Sequence, residues 1–178
     1  PGETIGVLAS PEYKHSQSKE WTSTDTIQFS IGQSDNMFTT VQMAGYVSMI
    51  ATNGKRYKTH IVKEIINPNT NEILLNKTPE LVSNLNLKDS TINSIRNGMT
   101  LAISQGGSRK YFENCKVSVA GKTGTAEVFD GSSNGTFVCY APIENPKIAI
   151  AITAEHIGEG SLLGSVAREV IDKYFETT

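Results

Sequence analysis

The chain has 178 residues, 38% of them hydrophobic and 19% charged, a balance that suits one folded domain and excludes a disordered segment. Sixteen basic against 18 acidic residues leave a net charge of -2, with no basic block to attract nucleic acid. No apolar run approaches the ~20 residues a membrane-spanning helix needs, and the opening Pro1-Gly2-Glu3, without a start methionine, looks like a cut in a longer protein.

Residues 1–35 are polar and aperiodic, with turn formers throughout (Pro11, Ser16, Ser18, Ser23, Asp25), and read as loop with short pieces of structure. Thr39 is a good helix N-cap, and Gln42 three residues later completes a capping box. Val41, Ala44, Val47 and Ile50 or Ala51 then recur at helical spacing until Asn53-Gly54 stops the helix. Two β-rich runs, 60–66 and 72–75, flank Asn67-Pro68-Asn69-Thr70-Asn71 and predict a hairpin. Asp89 or Ser90 caps a second helix whose stripe is Ile92, Ile95, Met99 and Ala102, ending at Gly106-Gly107. The last third turns to strands at 117–129, 135–141 and 147–154, joined by turns short enough to require an antiparallel meander. A closing helix puts Leu163, Val166 or Ala167, Val170 and Tyr174 on the face expected to cover that sheet. The pattern is α+β: an antiparallel sheet with flanking helices.

Chemistry concentrates in Gly121-Lys122-Thr123-Gly124-Thr125-Ala126-Glu127. Side chains alternate along a strand, so Thr123 and Thr125 share one face while Lys122 and Gly124 share the other. Two neutral hydroxyl donors beside a cation make a site for a carboxylate. Gly124 removes a side chain where something must approach the strand closely. A lone Lys-Thr-Gly is common by chance, and the plain alternative is a strand with one solvated lysine.

The segment resembles the third catalytic motif of the penicillin-binding proteins and serine β-lactamases, K-[ST]-G, carried on a strand of an antiparallel sheet. Other stretches are similar to class B penicillin-binding proteins in particular. Pro1-Gly2-Glu3, Phe29-Ser30-Ile31-Gly32-Gln33 and Thr39-Thr40-Val41-Gln42-Met43-Ala44 resemble that class's "PGE … IGQG … TPLQMA" run. Tyr140-Ala141-Pro142 and Asn145-Pro146-Lys147-Ile148-Ala149 resemble its "GYAP … NPKIA" strand pair, and the order is kept from the first residue to the end. The resemblance implies the penicillin-binding protein/serine β-lactamase-like fold, here incomplete, with 1–178 as the C-terminal portion of a transpeptidase domain. It implies a parent that cross-links peptidoglycan stem peptides by serine acylation at D-Ala-D-Ala and binds β-lactams, at the extracytoplasmic face of the bacterial cell membrane. Catalytic roles then fall on Lys122, which holds the hydrogen-bond network and positive potential, and on Thr125, whose backbone N–H supplies half of an oxyanion hole. Thr123, Gly124, Thr125 and Glu127 would contact substrate; no cofactor and no metal are implied. A β-lactam sensor domain and a serine β-lactamase share the fold and remain alternatives, although the PGE-to-QMA run favours the transpeptidase.

The family also needs S-x-x-K and S-x-N, and literal matches occur at Ser16-Gln17-Ser18-Lys19 and Ser34-Asp35-Asn36. The first lies in a polar stretch with Pro11 and no apolar stripe, where nothing is expected to bury a lysine. The second reads as a turn leading into the Thr39 helix. In the family both serine motifs precede the PGE segment, so the nucleophile is expected upstream of this chain. His156 is expected to serve the strand end, and His15 and His60 the surface. Cys115 and Cys139 are not expected to form a disulfide: a turn near residue 132 would set 139 opposite about 125, leaving Cys115 over ~30 Å away along the strand. The last strand is expected to pair, on its free side, with the upstream part of the same protein or with a second copy, since otherwise Ile148, Ile150 and Ile152 would lose cover.

Overall fold

A computed structural model describes residues 4–128 and 131–176. Pro1-Gly2-Glu3 of the family-like run lies outside the described residues, as do Phe129, the end of the expected 117–129 strand, and Asp130 just after it.

The short pieces of structure expected in the first 35 residues are two helices. Helix α1 (Pro11–Ser16) begins with Ser10 as N-cap, its oxygen accepting from the Tyr13 N–H, and with proline in its first turn. Helix α2 (Ser23–Ser30) has a complete capping box from Thr22 and Asp25. What fixes the pair is a buried ion cluster: Lys14 Nζ sits 2.9 Å from Asp25 and 2.8 Å from Asp35, with only 16% of its side chain exposed. Lys14 is therefore half-buried in a stretch where no lysine is expected to be covered, although Lys19 of the literal motif is exposed as expected; both carboxylates come from later in the chain. Asn36 adds a long-range strap, its Oδ1 accepting from the Ala9 N–H.

Helix α3 (Thr40–Ala51) is capped by Thr39 and Gln42 as the sequence predicts, and buries Val47, Ile50 and Ala51, while Val41 is exposed. Four short strands follow: β1 (Lys55–Tyr57), β2 (Glu64–Ile66), β3 (Ile73–Asn76) and β4 (Leu81–Asn84). β1 pairs with β4 and β2 with β3, both antiparallel, so one two-stranded ribbon runs out from α3 and returns. Helix α4 (Asp89–Gln105) buries Ile92, Met99 and Ile103 rather than the expected Ile95, which is exposed. Its Arg96 guanidinium turns inward to the Ala51 carbonyl, at the open C-terminal end of α3, and lies over the Tyr140 ring. The short helix α5 (Arg109–Phe112) follows.

The three strands β5 (Ala120–Ala126), β6 (Asn134–Ala141) and β7 (Ile148–Ala154) form the antiparallel meander, in the order β5-β6-β7. Each face carries its own core. Ala120, Val138 and Tyr140 pack with α3 and α4, whereas Phe137, Cys139 and Ile150 pack with Ile103, Phe112, Leu163, Ala167 and Ile171. The last three come from a 3₁₀ turn (Gly160–Leu163) and helix α6 (Gly164–Glu176). Leu163 and Ala167 thus face the sheet as expected, and Ile171 joins them, whereas Val166, the alternative to Ala167, and Val170 stay exposed.

Two further expectations change. Ala126 faces Asn134 and Gly121 faces Cys139, so the turn centres two residues earlier than expected. The strand starts at Ala120, and Cys115 folds against the core that contains Cys139 rather than lying far along a strand. Both thiols are free. Ile148, Ile150 and Ile152 are covered as well: Ile150 is buried and the others pack half-buried against the same core. Among the described residues no strand pairs with β7 on the side away from β6.

Candidate functional site

The Lys-Thr-Gly segment lies on β5, and β5 is an edge strand whose outer side is open. In an antiparallel ladder a residue's N–H and C=O point to the same side, alternating along the strand. The carbonyl of Thr125 is met at 3.4 Å by Nε2 of Gln33, which belongs to no strand of this sheet. The carbonyl of Thr123 is met at 2.7 Å by Lys122 Nζ. Both carbonyls therefore point to the open edge, and the Thr125 N–H points there too.

Alternation puts Thr123 and Thr125 on the face of α6 and Lys122 on the face of α3 and α4, as the sequence predicts. The lysine still reaches the same place, because its long stem wraps around the edge to the Thr123 carbonyl. No carboxylate lies within ion-pair reach of it among the described residues. Thr125 Oγ1 accepts the Gly160 N–H at 3.3 Å. With a lone pair engaged from below, that hydroxyl keeps its proton for a partner outside. The edge thus gathers an ammonium, an oriented O–H donor and a backbone N–H unpaired among the described residues, while its two carbonyls are already met by Lys122 and Gln33. It is a receptor for negative charge.

The glycines are distributed differently from expectation. A Cβ on Gly124 would meet Thr136 Cβ at 3.6 Å, an ordinary contact, so packing within the chain does not demand a glycine there. The close approaches are at Gly121, where a Cβ would stand 2.7 Å from the Val138 carbonyl, and at Gly160, where it would stand 2.0 Å from the Gly124 carbonyl. Gly160 lets the 3₁₀ turn lie flat on β5 and β6 and brings its N–H to Thr125. Sequence reasoning missed Gly160 and Gln33 as neighbours of Thr125. Gly158-Glu159-Gly160, four residues past the end of a strand, was the available signal for the first.

Glu127 lies exposed just past the end of β5, with no ion pair among the described residues. His156 braces the β5–β6 turn: its N–H donates to Asn134 Oδ1 at 3.0 Å and its Nδ1 lies 3.1 Å from the Ser132 carbonyl. Neither literal serine motif has the geometry of a nucleophile. Ser16 ends α1, donates its hydroxyl to the Tyr13 carbonyl, and shares no helix with Lys19. Ser34 sits in a turn at φ 72°, and its Oγ is buried without a partner, out of reach of any substrate. Asp35 and Asn36 are used up by the Lys14 cluster and the Ala9 strap. No group of acidic, histidine and cysteine side chains able to hold a metal occurs among the described residues.

The penicillin binding protein transpeptidase domain model matches residues 3–173. Penicillin-binding protein 2A of Bacillus subtilis is 32% identical over 169 residues, covering 84% of this chain and 24% of the relative. Peptidoglycan D,D-transpeptidase MrdA of Haemophilus influenzae is 30% identical over 192 residues, covering 97% and 29%. Among solved structures, penicillin-binding protein 2B of Streptococcus pneumoniae superposes with a TM-score of 0.82 at 29% identity, covering 99% of this chain and 29% of that one. PBP2 of Pseudomonas aeruginosa gives 0.81 at 27% identity, covering 97% and 39%. The chain spans about a quarter of the length of the curated relatives it matches.

Proposed function

This chain belongs to the penicillin-binding protein transpeptidase family, and on that premise we propose that it forms the anion-receiving wall of a D,D-transpeptidase site, as the C-terminal portion of that domain. The observation that carries the reading is the open edge of β5, where Lys122, the Thr125 hydroxyl and the Thr125 N–H converge. Thr123 and Thr125 hold the terminal carboxylate of a D-Ala-D-Ala stem peptide, or of a β-lactam, by hydroxyl donation. Lys122 supplies positive potential. The Thr125 N–H faces the scissile carbonyl oxygen as charge develops on it, and a preorganised donor there lowers the barrier. Gly124 is bare because the ligand backbone lies across it, which accounts for a glycine that internal packing does not require. Glu127 lines the entrance at the end of the strand.

The serine that is acylated lies in residues outside this chain, since Ser16 and Ser34 have the wrong surroundings. The same remainder, or a second copy, supplies a strand along the free side of β7. The parent works at the outer face of the bacterial membrane; no helix of the described residues is long and apolar enough to cross it.

The test is covalent labelling. Incubated with a fluorescent penicillin, this chain gives no adduct by intact mass, whereas the longer protein containing it is acylated. In the longer protein Thr125→Val slows acylation by about 10- to 100-fold, the worth of a hydrogen bond to a charged group. A stoichiometric adduct on Ser16 or Ser34 of this chain would overturn the reading.

A further inference from the structure

The ribbon of β1 to β4 has no place in the anion site, yet it is the part of the molecule least consistent with a free surface. Beyond its base it packs on nothing: β2 and β3 contact each other and no other helix or strand. It nevertheless carries Ile61, Val62, Ile65, Ile66, Ile73 and Leu74, all exposed, with Leu74 at 60%. A two-stranded hairpin alone is marginal in water, and an exposed apolar patch of this kind marks an interaction site.

The ribbon's charge specifies the partner. Residues 58–80, the ribbon beyond its base, hold three Lys and three Glu and are neutral overall, so it is the placement of the charges that discriminates. The Lys77 N–H donates to the Lys63 carbonyl at 2.8 Å, which extends the β2–β3 ladder by one step and sets the two lysines opposite each other. Like charges facing each other across a ladder are destabilising, and among the described residues no carboxylate comes within ion-pair reach of either. By alternation they share a face with the pair Ile65 and Leu75, while Ile66 and Leu74 lie on the other face; the register shifts between Ile65 and Ile66. The outer edges of β2 and β3 are both unpaired among the described residues.

We propose that the β2–β3 ribbon docks an extended segment of another protein, one that adds as a third strand and alternates carboxylates with apolar side chains. Main-chain bonds to a free edge supply affinity, and alternate side chains supply specificity. The carboxylates answer Lys63 and Lys77 on one face, and the apolar residues cover Ile66 and Leu74 on the other. An added strand puts side chains on both faces of the ribbon, as the lysines on one face and Ile66 with Leu74 on the other require; a lipid surface wets one face only.

The experiment titrates this chain with a fluorescent nonapeptide of alternating Glu and Val, reading anisotropy at low and high salt. The expected result is saturable binding that weakens with salt, falls by about tenfold in the Lys63→Glu/Lys77→Glu double variant, a change of ~1.4 kcal/mol, and is absent for the Lys/Val counterpart. Circular dichroism and melting of the double variant, unchanged from the parent, exclude loss of fold. Four results would overturn the proposal: no binding of the Glu/Val peptide; equal binding of the Lys/Val peptide; binding of phosphatidylglycerol vesicles in its place; or sedimentation as a dimer that buries the ribbon. A fifth comes from the longer protein: Leu74→Cys shielded from maleimide with no partner added would mean that its own remainder covers the ribbon. None of these readouts involves penicillin, so failure here leaves the transpeptidase reading standing.

Discussion

The molecule contains two antiparallel β-structures that use the same apolar residue types to opposite ends. In the β5–β6–β7 sheet every strand has helices on one or both faces, and Phe137, Cys139 and Tyr140 are wholly buried. In the β1–β4 ribbon Ile73 is 56% exposed and Leu74 60%, although the hairpin signal for that segment is as strong as for the sheet. Composition therefore does not decide burial; the number of layers does. A third strand and two helical layers give side chains on each face a dry neighbour, and a two-stranded ribbon with nothing against it offers none.

The comparison implies a gradient of mutational cost. Phe137→Ala, which removes a fully buried ring stacked on Phe112 at 5.9 Å, is expected to destabilise by about 3–5 kcal/mol in urea unfolding. A smaller loss would mean that the sheet core collapses readily around a cavity. Gly160→Ala comes next. The added methyl must displace the 3₁₀ turn from the Gly124 carbonyl, at a cost of about 1–3 kcal/mol in the same assay. In the longer protein it should also slow penicillin acylation, by turning the Thr125 hydroxyl loose, and that penalty should vanish in a Thr125→Val background.

Acid sharpens the contrast at the N-terminal helices. The Thr22 hydroxyl, then Lys14, hold the Asp25 carboxyl down at about 2, below its ordinary 3.8. A depressed carboxylate contributes stability that is present above the ordinary value and lost as pH falls through the folded one. Unfolding of α1 and α2, followed through Trp21 fluorescence, should therefore advance between about pH 4 and pH 2, and Asp25→Asn should remove that dependence. The thiols report on the sheet alone. Burial first, and the neighbouring Cys115 second, push the Cys139 thiol up to about 12, so it stays protonated and inert. Cys115, which lines an open surface pocket, should react with a disulfide reagent while Cys139 waits for denaturant. Simultaneous labelling of both would mean that the sheet opens locally. The smallest effect is expected on the ribbon: Leu74→Ser should change stability by no more than about 0.5 kcal/mol.

The sequence by itself determined what is local. The Thr39–Gln42 box, the hairpin around Asn67-Pro68, the meander and the face-sharing of Thr123 and Thr125 all follow from spacings of two, three or four residues, and all are present. The same local rule, applied to Thr22 and Asp25, would have found α2; a capping box lies there too, without an apolar stripe behind it. Only the tertiary structure decided the rest. Val166 with Val170 and Ala167 with Ile171 are equally good helical stripes, and the choice fell to whichever the sheet and the 3₁₀ turn left room for. Lys14 is half-buried because two aspartates 11 and 21 residues away converge on it, and Thr125 is oriented by a glycine 35 residues downstream. Such contacts join segments that fix one another only once both are folded, so no periodicity in either segment announces them.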